Sequence, residues 1–362
     1  VAATNLAENA ARNHEVHYFT PALEGQEKEA VINGVYYHRC IPKGSNIVEY
    51  CRDMSLQMVD DFLSEERDGE FDVLHFHDWH VTDALESLKD NATVFTFHST
   101  EFGRNGNRIG NEWIFKEISE KERKAGLLSR KVTTVSQTLK KEVTSLYGLP
   151  EWKVDVVRNG IQPELYAFDV NPEEVKSDYG IPTDAPLILF AGRLTYQKGP
   201  DLLLEAIPKI LRSEPDARFV FAGAGQMHDE LKRRVRDLNG NAQFLGYVPD
   251  REFVRLLNAC DILSIPSRNE PFGLILLEGW SAKKCVVASD VGGLSENIDH
   301  GVDGVKVQVD SNSLARGIRG AMGNWDDMAR MGEMGRKKIE SEFRWNIVTD
   351  KLIEVYQTCG LN

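Results

Sequence analysis

The stretch SIPSRNEPFGLILLEGW, Ser264 to Trp280, decides how this chain is read. Ile262-Leu263-Ser264-Ile265 is a short apolar run stopped by Pro266, as a buried strand is. Ser267 to Pro271 is polar and cannot continue a sheet, and Gly273 opens an apolar segment that suits a buried helix. Two carboxylates interrupt it, Glu270 and Glu278. Eight residues at helical rise span ~12 Å. Between them a helix N-terminus offers unpaired backbone N–H groups and a partial positive charge, which suits a diphosphate.

A second strand end has the complementary charge. Leu187 to Gly192 is a buried-strand run that ends in Arg193-Leu-Thr-Tyr-Gln-Lys198-Gly199. Where a leaving group accumulates negative charge, two cations stabilise the transition state more than the ground state. Arginine supplies a fork to two oxygens and lysine a point charge.

Together, E-x-F-G-L-x-x-L-E and G-R-L-x-x-x-K-G resemble the signatures of retaining GT-B glycosyltransferases, the group that includes family 4 and the glycogen and starch synthases. The resemblance covers nearly the whole chain. It implies an α/β fold of two Rossmann-like doubly wound domains facing a central cleft. It also implies retaining transfer of a hexose, glucose favoured, from a UDP- or ADP-linked sugar to a glycan or small-molecule hydroxyl. No cofactor and no metal are expected, because Arg193 and Lys198 stabilise the departing diphosphate. By the same resemblance Glu270 holds donor-sugar hydroxyls and Glu278 the ribose, matching their ~12 Å spacing. Phe272, Gly273 and Leu274 line the donor between them.

Other strand ends extend this reading. Gly223-Ala-Gly225 follows a strand but lacks the third glycine of a full dinucleotide fingerprint. With Tyr247 and Val248 it is expected to shape the nucleotide pocket, or else to be plain turn chemistry. Gly292-Gly293-Leu-Ser-Glu296 resembles a further turn of the same pocket. In the first half, the resemblance gives His98 a role at the donor sugar's anomeric centre. His77-Asp78-Trp79-His80 is similar to the H-D-W run of glycogen and starch synthases, so Asp78 is expected to hold the acceptor. Trp79 is read either as a sugar platform or as core. A metal held by His77, Asp78 and His80 is disfavoured.

Composition bounds the rest. The 362 residues suit two domains of ~100–200 each. A net charge of −13 excludes nucleic acid as a main partner. The five cysteines are scattered with no C-x-x-C, so no zinc or redox pair is suggested. No signal peptide or membrane-spanning run is visible, and a cytoplasmic protein is expected, with peripheral membrane contact still compatible.

Along the chain, a helix at 1–12 leads into a strand near Glu15–Thr20. The family's first strand and Gly-rich loop are not found ahead of it, and a truncation is expected. A hairpin at Asn33-Gly34, a helix at 50–67 and strands near 71–77 and 93–97 follow. Residues 101–111 read as a loop and 112–129 as a helix. Ser136 is read as the N-cap of a helix at 137–147. The proline-rich stretch 163–186 reads as a linker, giving domains of 1–165 and 166–343, with the tail helix 344–362 completing the first. Strands are expected near 187–192, 217–222, 243–246, 260–265, 285–289 and 305–309. Three rivals share parts of the pattern: a GT-B sugar-nucleotide epimerase, a pyridoxal-phosphate glycan phosphorylase and a non-catalytic sugar-nucleotide-binding protein.

Overall fold

The computed structural model describes residues 2–66, 70–108, 110–238 and 240–360. It divides into two compact units, Val1–Gly160 with Trp345–Asn362, and Ile161–Arg344.

The first unit holds two sheets. Strands β1 (Val16–Pro21), β2 (Glu29–Ile32) and β3 (Val35–Cys40) form one, in the order β1-β3-β2, with β1 parallel and β2 antiparallel to β3. The β2–β3 turn is the expected Asn33-Gly34, with φ of 50° and 82°. Two positive φ values in a two-residue turn are what twisted hairpins require, and Asn-Gly supplies them at low cost. Strands β4 (Leu74–His77), β5 (Thr93–Phe97), β6 (Lys131–Thr134) and β7 (Val154–Val156) form an all-parallel sheet in sequence order. Ser136 caps the helix Gln137–Tyr147 by accepting from Leu139 N, and Gly148 ends it in the left-handed region. The tail helix Trp345–Gly360 buries Trp345, Val348, Leu352 and Val355 against Leu6, Val94 and Val157.

The second unit is one six-stranded parallel sheet. Its strands are β8 (Leu187–Ala191), β9 (Arg218–Ala222), β10 (Ala242–Gly246), β11 (Ile262–Ile265), β12 (Cys285–Ser289) and β13 (Val305–Val307). Their order, β10-β9-β8-β11-β12-β13, is the doubly wound order 3-2-1-4-5-6. Residues of β8, β9, β11 and β12 are almost all buried. Strands covered on both faces read as near-continuous apolar runs, and these do, with Ser264 and Ser289 the buried polar exceptions.

Two expectations need correction. The stretch 163–186 is part of the second unit, not a linker: Val175, Ile181 and Ala185 are buried, and Lys176 Nζ donates to Ala185 O at 2.9 Å. Two of its four prolines start helical turns, at Pro163–Leu165 and Pro172–Asp178, where a missing N–H costs nothing. Residues 101–104 are helical, not loop, because Glu122 accepts the Glu101 N–H with both oxygens at 2.9 Å. All five cysteines are buried and free. No helix among the described residues is long and apolar enough to cross a membrane.

Candidate active site

In a doubly wound sheet, ligands bind beyond the carboxyl ends of the strands, where the order reverses. Here the reversal falls between β8 and β11, the strands that lead into the two loops singled out from the sequence. The structure joins those loops. Lys198 Nζ lies 2.6 Å from Glu270 Oε2, and Ser267 Oγ donates to the same oxygen at 3.2 Å. Glu270 is 6% exposed, so this is a largely desolvated charge pair. Arg268 N donates to Gln197 O at 2.7 Å, and the Arg268 guanidinium grips Asp201 with two bonds of 2.8 and 2.6 Å while lying over the Tyr196 ring. The two loops are therefore one rigid piece. Arg193 stands exposed beyond β8. Two buried hydroxyls at the same strand ends, Thr195 Oγ1 and Ser264 Oγ, have no hydrogen-bond partner.

The glycines here are explained by backbone approach. A Cβ on Gly223 (φ 145°) would sit 1.9 Å from Gly192 O, and one on Gly292 (φ 49°) 2.0 Å from Glu270 O. Gly293 N donates to Glu270 O at 2.9 Å, and Leu194 N to Ala224 O at 2.9 Å. Thus Gly223-Ala-Gly225 lets the β9 loop lock the Arg193 loop, and Gly292-Gly293 fixes the Glu270 backbone. Phe272 is 3% exposed with its ring 6.1 Å from Phe343, so its side chain is part of the core. Tyr247 is 77% exposed, beside the partly buried Val248.

The helix Leu274–Ser281 starts at Gly273 in the left-handed region, with no side-chain cap on its first N–H groups. Glu278 sits in this helix, whereas Glu270 precedes it, so helical rise does not set the whole distance between them. Desolvation pushes the Glu278 carboxyl up to about 7, with Asp250 adding to the rise and a hydrogen bond from the Tyr166 hydroxyl opposing it. Tyr166 was not singled out from the sequence; it lies 112 positions away with no local signal.

A pH-dependent stability follows. The native state holds the Glu278 proton more tightly than the unfolded chain does. Wild-type stability is therefore full below the ordinary glutamate range and falls as pH rises through about 7. Glu278→Gln escapes this loss. It is expected to be more stable than wild type by on the order of 1–3 kcal/mol at pH 8, with the gain vanishing near pH 4.5. Thermal unfolding at both pH values checks this; a gain independent of pH refutes it.

In the first unit, Asp78 adopts φ 59° and ψ 172°, a conformation almost confined to glycine. Its carboxylate accepts the His98 N–H at 3.0 Å, and its own N–H donates to Thr96 O at 2.9 Å. Asp78 thus positions His98 across the strand ends of β4 and β5. The His98 ring meets His77, Nε2 to Nδ1 at 3.0 Å. His75 is held at both nitrogens, by the Tyr356 hydroxyl and Thr96 Oγ1, each at 2.6 Å. Desolvation lowers His75 to about 3 and holds His77 well below the usual histidine range, so both are neutral. Trp79 is 5% exposed, packed among Cys51, Met54, Met58 and Ile118, which makes it core and not a sugar platform. His77, Asp78 and His80 do not converge: the first two serve His98, and His80 stacks on Trp79.

A brace behind His98 also escaped the sequence reading. Arg104 donates to Ser99 Oγ at 2.6 Å and to Glu122 at 2.7 Å, and the Tyr147 hydroxyl donates to Glu122 at 2.5 Å.

This Rossmann-ordered unit, with cations and carboxylates at its switch point, has the make-up of one half of a GT-B fold. Comparison with known proteins agrees. The family Glycosyltransferase Family 4 matches residues 1–165, and Glycosyl transferases group 1 matches residues 171–338. An uncharacterized glycosyltransferase of Methanocaldococcus jannaschii is 35% identical, covering 97% of this chain and 92% of its own. A glycogen synthase of Mycobacterium tuberculosis is 30% identical over 81% of this chain and 70% of its own. The crystal structure of Anabaena HepE in complex with UDP-glucose superposes with a TM-score of 0.76 at 18% identity, covering 99% of this chain and 95% of that one. The chain belongs to the family 4 glycosyltransferases of GT-B fold.

Proposed function

We propose that the protein transfers a hexose, glucose favoured, from a nucleoside-diphosphate sugar to an acceptor hydroxyl with retention of anomeric configuration, and needs no metal at the diphosphate. The observation that carries this reading is the Lys198–Glu270 pair at the switch point, with exposed Arg193 on the same loop. Arg193 and Lys198 take the charge that develops on the leaving diphosphate. Glu270 orients the hexose and Glu278 the ribose, whose two hydroxyls donate to the Glu278 carboxylate once it ionises above about 7. Tyr247 and Val248 flank the base. In the first unit, His98 serves the anomeric centre, and the Asp78 oxygen not bonded to the His98 amide serves the acceptor.

The relatives support the substrate class: one is a glycogen synthase, and a structure of the same fold binds UDP-glucose. Incubation with UDP-glucose and ADP-glucose tests the reading. The expected result is release of nucleoside diphosphate that depends on an added glycan acceptor, persists in EDTA, and gives an α-linked product by NMR. Conversion of the donor sugar without an acceptor makes the protein an epimerase, and binding without any turnover a sugar-nucleotide-binding protein.

A further inference from the structure

We infer that His17, His38 and Glu65 form a binding site for one divalent cation of the zinc class in the three-stranded sheet of the first unit. This is independent of the transferase reading, whose residues all lie outside that sheet. Parallel pairing sets His17 opposite Tyr36 and Phe19 opposite His38. The two histidines are therefore two register steps apart, on one face of adjacent strands. Their rings stack with centroids 5.1 Å apart and planes within 6°, and His17 Nδ1 meets His38 Nε2 at 2.9 Å. The helix Ile47–Glu65 ends over this face. Glu65 places Oε2 4.0 Å from His17 Nδ1 and Oε1 3.8 Å from His38 Nδ1. One donor atom from each residue lies within 4.8 Å of the others. Donors about 2.0 Å from a tetrahedral zinc stand about 3.3 Å apart. Shifts of an ångström or less bring all three onto one ion.

A single N–H···N bond satisfies the 2.9 Å pairing of His17 Nδ1 with His38 Nε2 in the neutral pair, and two further features favour a cation. His38 is 5% exposed, and Glu29 Oε2 lies 2.8 Å from its Nδ1, the ring nitrogen turned away from His17. Finally, carboxylates surround the pair: Glu65 at the negative end of its helix, Glu29, and Glu15, whose Oε1 is 3.2 Å from His17 Nε2. A carboxylate on the outer nitrogen is the usual second partner of a metal-bound histidine. Imidazole with carboxylate suits Zn2+ better than Mg2+ or Ca2+. Bound there, the ion ties β1 and β3 to the end of the overlying helix.

The test uses the full chain, stripped with a chelator and then given Zn2+ alone, with Co2+ as a spectroscopic probe. The expected result is one Zn2+ retained per chain after desalting, a raised Tm, and visible Co2+ bands of tetrahedral strength. Glu65→Gln and His38→Asn, folded by circular dichroism, should each weaken binding at least tenfold, the loss that even an outer-sphere partner can cause. Wild type that retains no more Zn2+ than the His17→Asn/His38→Asn double variant overturns the site. So does a Tm that ignores Zn2+.

Discussion

Replacing Lys198 by alanine should lower kcat by on the order of 10²–10³, the loss typical of removing one group that stabilises a developing anion. Glu270→Ala should lower kcat/KM by a similar factor, for two reasons that the structure joins. The carboxylate is placed to take hexose hydroxyls, and it holds the Lys198 ammonium at 2.6 Å. Without Glu270, the lysine loses the partner that aims it. The effects should therefore not add: the double variant is expected to be little worse than the poorer single one, since groups acting as a unit fail together. Steady-state kinetics on the three variants, each checked for native circular dichroism, reads this. Full activity in a folded Glu270→Ala protein removes Glu270 from the mechanism. Additive losses would mean that the ion pair is not how the two residues work.

The second large effect is on stability. Glu122 is 1% exposed and accepts from the Glu101 amide, Arg104 and the Tyr147 hydroxyl. Burial pushes its carboxyl up to about 7 even though Arg104 opposes the shift. Glu122→Ala leaves the Glu101 amide and the Tyr147 hydroxyl facing a cavity, while Arg104 keeps Glu101 at 2.9 Å and Ser99 Oγ at 2.6 Å. Removing one partner of a buried charged cluster costs about 3–5 kcal/mol. For a unit of this size that corresponds to a Tm drop on the order of 10 °C. Glu122→Gln keeps the shape and one acceptor, so it should cost less, and less at pH 8 than near pH 4.5, because wild type itself loses stability as pH rises through about 7. Urea unfolding of both variants separates these outcomes; an alanine variant within 1 kcal/mol of wild type refutes the brace. Because Arg104 also holds Ser99, next to His98, surviving Glu122→Ala protein should turn over more slowly as well.

What could be read from the chain alone was whatever repeats at short range. Short runs ending at glycine or proline marked β8 to β11 of the second unit, while β12 and β13 run on into Asp290 and Gln308 and were marked by their branched apolar residues alone. Asn33-Gly34 gave the hairpin and Ser136 the helix cap, because a two-residue turn and a cap depend only on near neighbours. The loops at strand ends were legible for the same reason: charge and glycine placed just after a buried strand face a ligand edge whatever surrounds them.

Tertiary structure alone decided the pairings across long separations. Lys198 meets Glu270 because the sheet order sets β8 beside β11, and no spacing in the sequence encodes that order. Tyr166 reaches Glu278 through a proline-rich stretch that reads as a linker, since prolines that begin helices look the same as prolines that break them. Trp79 is core because the helix Ile47–Glu65 covers it, and His17 faces His38 only in the parallel register of β1 and β3. Local chemistry determines which groups are available; burial and register, set by elements far apart in the chain, determine which of them meet and what charge they carry.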